Sequence, residues 1–164
     1  KEMLNFAKSS PLSLIPANIT NQYSTLIRSI ILDLGEKDYI HKNQPVIDMN
    51  GVMGKTISVG KHATKVQLIT DKNFRISIRV GDEKSLGIFI PTHGKYGILD
   101  GVRKSMKLNV GEIAYTSGIS DIYPANIPVA KVVSVNKDTN SPFQDVNVEI
   151  LANLQDLNYV FIVQ

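Results

Sequence analysis

The sequence predicts an all-β fold, barrel or sandwich, on three observations. Extended runs recur about every eight to twelve residues, turn-forming residues separate them, and no stretch keeps a long helical period. Arg75 to Val80 alternates strictly, placing Ile76, Ile78 and Val80 on one face, and Val146, Val148 and Ile150 repeat the pattern. Tyr159 to Val163 is apolar throughout, as a strand covered on both sides requires. Turn signals lie between the runs at Asp71-Lys72-Asn73, Gly81-Asp82-Glu83, His93-Gly94 and from Asp138 to Pro142. Asn50-Gly51, between Val46-Ile47 and the run from Met53 to Val59, predicts a hairpin with a type I′ turn, whose two central positions need positive φ.

Composition narrows the function classes. With 164 residues and 43% apolar content, the chain is long enough for one packed domain or two small ones. The absence of cysteine removes disulfides and thiolate metal sites. A net charge of +3 is only mildly basic, and Arg75 and Arg79 alternate with isoleucines as on a solvated strand face, so the concentrated phosphate footprint of a nucleic-acid binder is missing. No apolar run approaches the roughly 20 residues that cross a bilayer. The chain opens at Lys1 without an initiator methionine, which suggests a trimmed longer protein with any membrane attachment upstream. Glu2 to Ala7 has the character of a helix end, stopped by Ser9-Ser10-Pro11.

The most specific segment runs from Val110 to Val133. Ile113 to Thr116 is β-prone, Ser117-Gly118 breaks the run, Tyr123-Pro124-Ala125-Asn126 has turn chemistry, and Ile127 to Val135 is extended again. Pro124 suits the first central position of a type I turn, and Asn126 tolerates the left-handed conformation that sends the chain back. This segment, including Thr116, Ser117, Gly118, Tyr123, Pro124, Asn126 and Pro128, resembles the pattern Gly-Asp-x-Val-x-Thr-Ser-Gly, then Tyr/Phe-Pro-x-Gly-Ile-Pro-Val-Gly-x-Val, of the bacterial rod shape-determining MreC family. Leu14 to Ile19, Gln44 to Lys55 and Val66 to Asp71 resemble further blocks of that family, and the similarity covers roughly residues 12 to 164. Glu112 replaces the usual Asp, while Asn126 and Ala130 stand where the family has glycine.

The resemblance implies a head of two small β-barrels arranged somewhat like those of chymotrypsin-type proteases. Residues 1–11 would then be the end of a coiled-coil helix or a linker; residues 63–107 form the more self-contained set of local hairpins and are assigned as an inserted second barrel, with residues 12–62 and 108–164 the first. It also implies a non-enzymatic scaffold of the cell-wall elongation complex, on the periplasmic or extracytoplasmic face. An upstream segment anchors such proteins to the inner membrane. The implied partners are a class B penicillin-binding transpeptidase, MreD and other elongation-complex membrane proteins, and further copies of the chain. Neither cofactor nor metal is implied. Phe74, Phe89, Tyr96 and Tyr123, all near turns, are the candidate partner contacts, because aromatic residues are enriched in interface hot spots; core burial is the competing explanation for each.

A protease-like barrel raises the alternatives of a small trypsin-like hydrolase or a peptidoglycan-binding barrel. His41, His62 and His93, the carboxylates Asp71, Asp82 and Asp100, and Ser117 occur in the order histidine, acid, serine. Thr116-Ser117-Gly118-Ile119, however, matches neither Gly-Asp-Ser-Gly nor Gly-x-Ser-x-Gly. Asp33, Glu36 and Asp38 lack calcium-loop spacing, the three histidines lack zinc-site spacing, and Gly51, Gly54 and Lys55 do not make a phosphate loop.

A left-handed backbone at Asn126 has a measurable consequence. Asn126→Gly is expected to be nearly neutral, whereas Asn126→Val destabilises by roughly 1 to 2 kcal/mol through steric conflict at its branched carbon. Chemical denaturation of both variants checks this, and equal midpoints would contradict it.

Overall fold

The computed structural model describes residues 11–20 and 28–164, so the helix end expected over residues 1–11 falls, apart from Pro11, outside the described residues. Two compact units divide the chain. One comprises Lys1–Asp71 and Ala152–Gln164, the other Lys72–Leu151.

The first unit is a six-stranded antiparallel half-barrel. Its strands are β1 (Leu14–Asn18), β2 (Ser29–Leu32), β3 (Pro45–Ile47), β4 (Val52–Val59), β5 (Thr64–Leu68) and β12 (Tyr159–Val163), in the order β1-β12-β3-β4-β5-β2. The uniformly apolar β12 lies between β1 and β3, and Val160 to Val163 are all buried, which is why no polar alternation marks that strand. Among the described residues the two edges meet at one end. An Ile19–Leu32 bridge joins them, with the Thr20 N–H donating to the Ile31 carbonyl at 2.9 Å and the Asp33 N–H to the Asn18 carbonyl at 3.1 Å. The Asp33 carboxylate clamps the junction by accepting from the Asn18 N–H and Nδ2 at 2.9 and 3.0 Å. Within the sheet, a Cβ at Gly54 would sit 1.9 Å from the Gln67 carbonyl oxygen, so the approach of β4 to β5 requires glycine there.

The hairpin joining β3 to β4 forms, but not through a type I′ turn, since neither Asn50 nor Gly51 has positive φ. Asp48 supplies the alternative. Its Oδ1 accepts the N–H groups of Asn50 and Gly51 at 2.7 and 2.9 Å, a side-chain turn that removes the need for left-handed residues.

The second unit is a closed six-stranded barrel. It contains β6 (Ile76–Val80), β7 (Ser85–Pro91), β8 (Tyr96–Asp100), β9 (Ile113–Thr116), β10 (Pro128–Asn136) and β11 (Asp145–Ile150), in the order β10-β11-β8-β7-β6-β9, with β9 pairing back onto β10. Alternation decides the inside. Ile76, Ile78, Val80, Phe89, Leu99, Val132, Val146 and Val148 are buried, and register shifts in β10 between Pro128 and Ala130 and between Val132 and Ser134 let that strand bend around the core.

The boundaries differ from those expected. The divisions fall after Asp71 and Leu151, not after residues 62 and 107, and the unit between them takes β9, β10 and β11 away from the half-barrel while leaving it β5. The expected grouping followed local hairpins. Closure instead uses the distant pairs Ile78–Thr116 and Asn147–Ile98, and strand alternation carries no information about which distant strand completes a sheet.

Candidate functional site

The segment singled out in the sequence closes the barrel and builds a loop on its outside. Thr116, the last residue of β9, is buried and organises the return turn. Its N–H donates to the Ile127 carbonyl at 2.8 Å, its carbonyl accepts from the Asn126 N–H at 3.0 Å, its Oγ1 donates to the Pro124 carbonyl, and the same oxygen accepts the Ile127 N–H at 2.9 Å. Asn126 has φ +71°, in the left-handed region. Ala125 and Asn126 are the turn residues, so Pro124 precedes the turn and does not hold its first central position; the bond from Thr116 fixes the Pro124 carbonyl there. Gly118 has φ +80°, and a Cβ on it would lie 2.7 Å from the Ala125 methyl carbon, so both its dihedral and its surroundings demand glycine. Pro128 begins β10 opposite Tyr115, a position compatible with its missing N–H, and the Ala130 methyl is fully buried.

Ser117 is held by a second serine. Its N–H donates to the Ser77 carbonyl at 3.1 Å, its Oγ lies 2.9 Å from Ser77 Oγ, and it accepts the Ile119 N–H at 3.2 Å. These contacts fasten the loop after β9 to β6. No histidine is among them, and a nucleophilic serine needs a base at that distance. His41, His62 and His93 are exposed, and among the described residues no group of three or more metal-ligating side chains comes together.

Three of the four aromatic candidates belong to the core. Phe74, Phe89 and Tyr123 are buried: Phe89 is on the inward phase of β7, Phe74 continues the inward phase of β6, and the Phe74 and Tyr123 rings meet edge to face with centroids 6.4 Å apart. As they stand, these three are not surface contacts. Tyr96 is exposed on β8, where Lys95 Nζ lies 5.6 Å from its ring centroid and 3.3 Å from the Glu149 carboxylate. The buried Tyr123 hydroxyl has no hydrogen-bond partner among the described residues, and burial pushes the phenol well above its ordinary 10.0.

The outer surface of the barrel holds residues that sequence inspection missed. Leu86 and Ile88 on β7, Tyr115 on β9 and Ile119 in the loop are 45%, 38%, 40% and 60% exposed, so their apolar surface is available to a partner. A signal for two of them was present. Leu86, Ile88 and Ile90 share one phase of the run while Phe89 lies on the other, and a closed barrel can bury only one phase. Among the described residues no helix is long and apolar enough to cross a membrane.

The description "Rod shape-determining protein MreC, barrel core" matches residues 19–164. A Cell shape-determining protein MreC from Haemophilus influenzae is 35% identical over 136 residues, covering 82% of this chain and 39% of that protein. The chain belongs to the MreC family. The Escherichia coli MreC is 28% identical over 81% of this chain and 36% of its own length, so the chain spans under half of these relatives. A solved MreC structure superposes with a TM-score of 0.92 at 27% identity, covering 99% of this chain and 94% of that one. The crystal structure of MreC from Pseudomonas aeruginosa gives 0.84 at 27% identity over 92% and 99% of the two chains. Within this MreC barrel core, the Thr-Ser-Gly and Tyr-Pro elements therefore have a physical assignment as the hydrogen-bonded turn around Thr116.

Two variants test that assignment. Thr116→Val keeps the shape but strands the Ile127 N–H and the Pro124 carbonyl, and is expected to cost about 2 kcal/mol by denaturant unfolding; an unchanged midpoint would remove Thr116 from its central place. Tyr123→Phe deletes an unpartnered buried hydroxyl and should change stability by less than about 1 kcal/mol at neutral pH. The folded phenol retains its proton after the unfolded one has lost it, so its contribution is complete below about pH 10 and disappears as pH rises through the folded value. Melting temperature should thus fall less steeply above about pH 10 in Tyr123→Phe than in the parent; parallel profiles would contradict the burial effect.

Proposed function

We propose that this chain is the extracytoplasmic head of a non-enzymatic cell-shape scaffold that binds and positions a class B penicillin-binding transpeptidase. The observation carrying the proposal is the match of the MreC barrel core across residues 19–164. In support, a chain sharing the fold, with a TM-score of 0.71 at 20% identity, comes from a complex between Penicillin-Binding Protein (PBP2) and MreC of Helicobacter pylori. Another fold neighbour, at 21% identity, is described as the major periplasmic domain from the cell shape-determining filament MreC, which supports an extracytoplasmic location and self-association. An upstream inner-membrane anchor and contact with MreD complete the proposed setting.

The scaffold acts by position. Binding shifts the transpeptidase toward a competent conformation only to the extent that it favours that conformation over others. A rigid barrel suits this role, since it holds its outer side chains fixed and pays little ordering entropy on association.

The test uses the 164-residue chain and the purified extracytoplasmic part of its own transpeptidase. Calorimetry should give saturable binding, and the rate of penicillin acylation of the transpeptidase should change when the chain is added. Binding without any change in acylation would overturn the conformational mechanism, while no binding would overturn the partnership. Covalent labelling of Ser117 by a fluorophosphonate would overturn the non-enzymatic reading.

A further inference from the structure

On the closed barrel, cross-strand register brings Tyr115, Arg79 and Leu86 into one row across β9, β6 and β7. The adjacent row pairs Ser77 with Ile88, and Ser77 is the residue to which Ser117 fastens the exposed loop bearing Ile119. Tyr115, Leu86 and Ile88 therefore occupy neighbouring outward positions with the Arg79 guanidinium among them, and Ile119 lies in the loop that Ser117 fastens to β6. Arg79 spends one Nη on the Lys84 carbonyl at 3.2 Å and has no carboxylate partner among the described residues. Asp100, opposite Ile88 on β8, bounds the surface on its far side.

We infer that this ridge is the surface that docks the transpeptidase, and that the partner presents an apolar groove with a carboxylate placed for Arg79. The inference rests on the reading of a transpeptidase as partner. Two observations select a grooved, acidic partner over a second copy of the chain. A closed six-stranded barrel is strongly convex, and two convex faces bury little surface against each other. Arg79 also lies within the apolar surface without an acid of its own, the arrangement of an interface arginine that is paired only on binding. The Thr116 turn gains a second purpose, because Ser117 and Gly118 carry Ile119 onto the docking face.

The experiment measures binding of wild type and surface variants to the transpeptidase's extracytoplasmic part, with circular dichroism confirming each fold. Ile88→Asp is expected to weaken binding by about 30-fold or more. Arg79→Glu should weaken it by about 10-fold and flatten its dependence on salt. Ile119→Ser, in a loop outside the barrel strands, should weaken binding without touching stability, and Tyr39→Ser, an exposed residue of the half-barrel, should leave it unchanged. Wild-type binding with all three ridge variants equally tight would overturn the docking face alone. Absence of wild-type binding would overturn the partnership beneath it. A concentration-dependent dimer abolished by Ile88→Asp in sedimentation would overturn the inference in favour of a second copy.

Discussion

Closure of the barrel through β9 is the constraint on which the second unit depends. That strand has only four residues, yet it pairs with β10 on one side and β6 on the other. Such a short strand offers few ladder hydrogen bonds to either neighbour. Thr116 extends its reach by fixing the turn into β10, and Ser117 extends it again by bonding β6 through both backbone and side chain. Without this end of β9, the edges of β6 and β10 would be exposed, and an unpaired edge invites aggregation. Ser117, the serine of the catalytic-looking order, thus has a structural role in sealing a cylinder.

How much of this was legible in the sequence differs by residue. The alternation of Ile76, Ile78 and Val80 and that of Val146, Val148 and Ile150 gave strand and facing together, because burial on one side leaves a period of two. Asn126 was legible because few residues besides glycine accept positive φ, whereas the Asn50-Gly51 turn misled because Asp48, outside the dipeptide, supplied a competing hydrogen-bonding solution. Unit boundaries were illegible for a different reason. β5 has the same pattern whether it pairs with β4 and β2 or opens a second barrel, and only distant partners decide.

The candidate contacts were harder still. Phe74, Phe89 and Tyr123 are aromatic residues near turns, but aromatic bulk serves a small barrel first as filling, and all three are buried. Leu86 and Ile88 are less conspicuous and more accessible. What distinguishes them is phase: they are apolar on the side of β7 that a closed barrel must turn outward.

The central place of β12 affects the order in which the molecule can assemble. Lys72–Leu151 can form its barrel as soon as that stretch of chain is made, but β1 and β3 have no strand between them until Tyr159–Val163 arrives. The first unit to begin synthesis is therefore the last to be completed. During that interval β1 and the free edge of β3 are open to mispairing, a hazard relieved only when β12 is made and inserts between them.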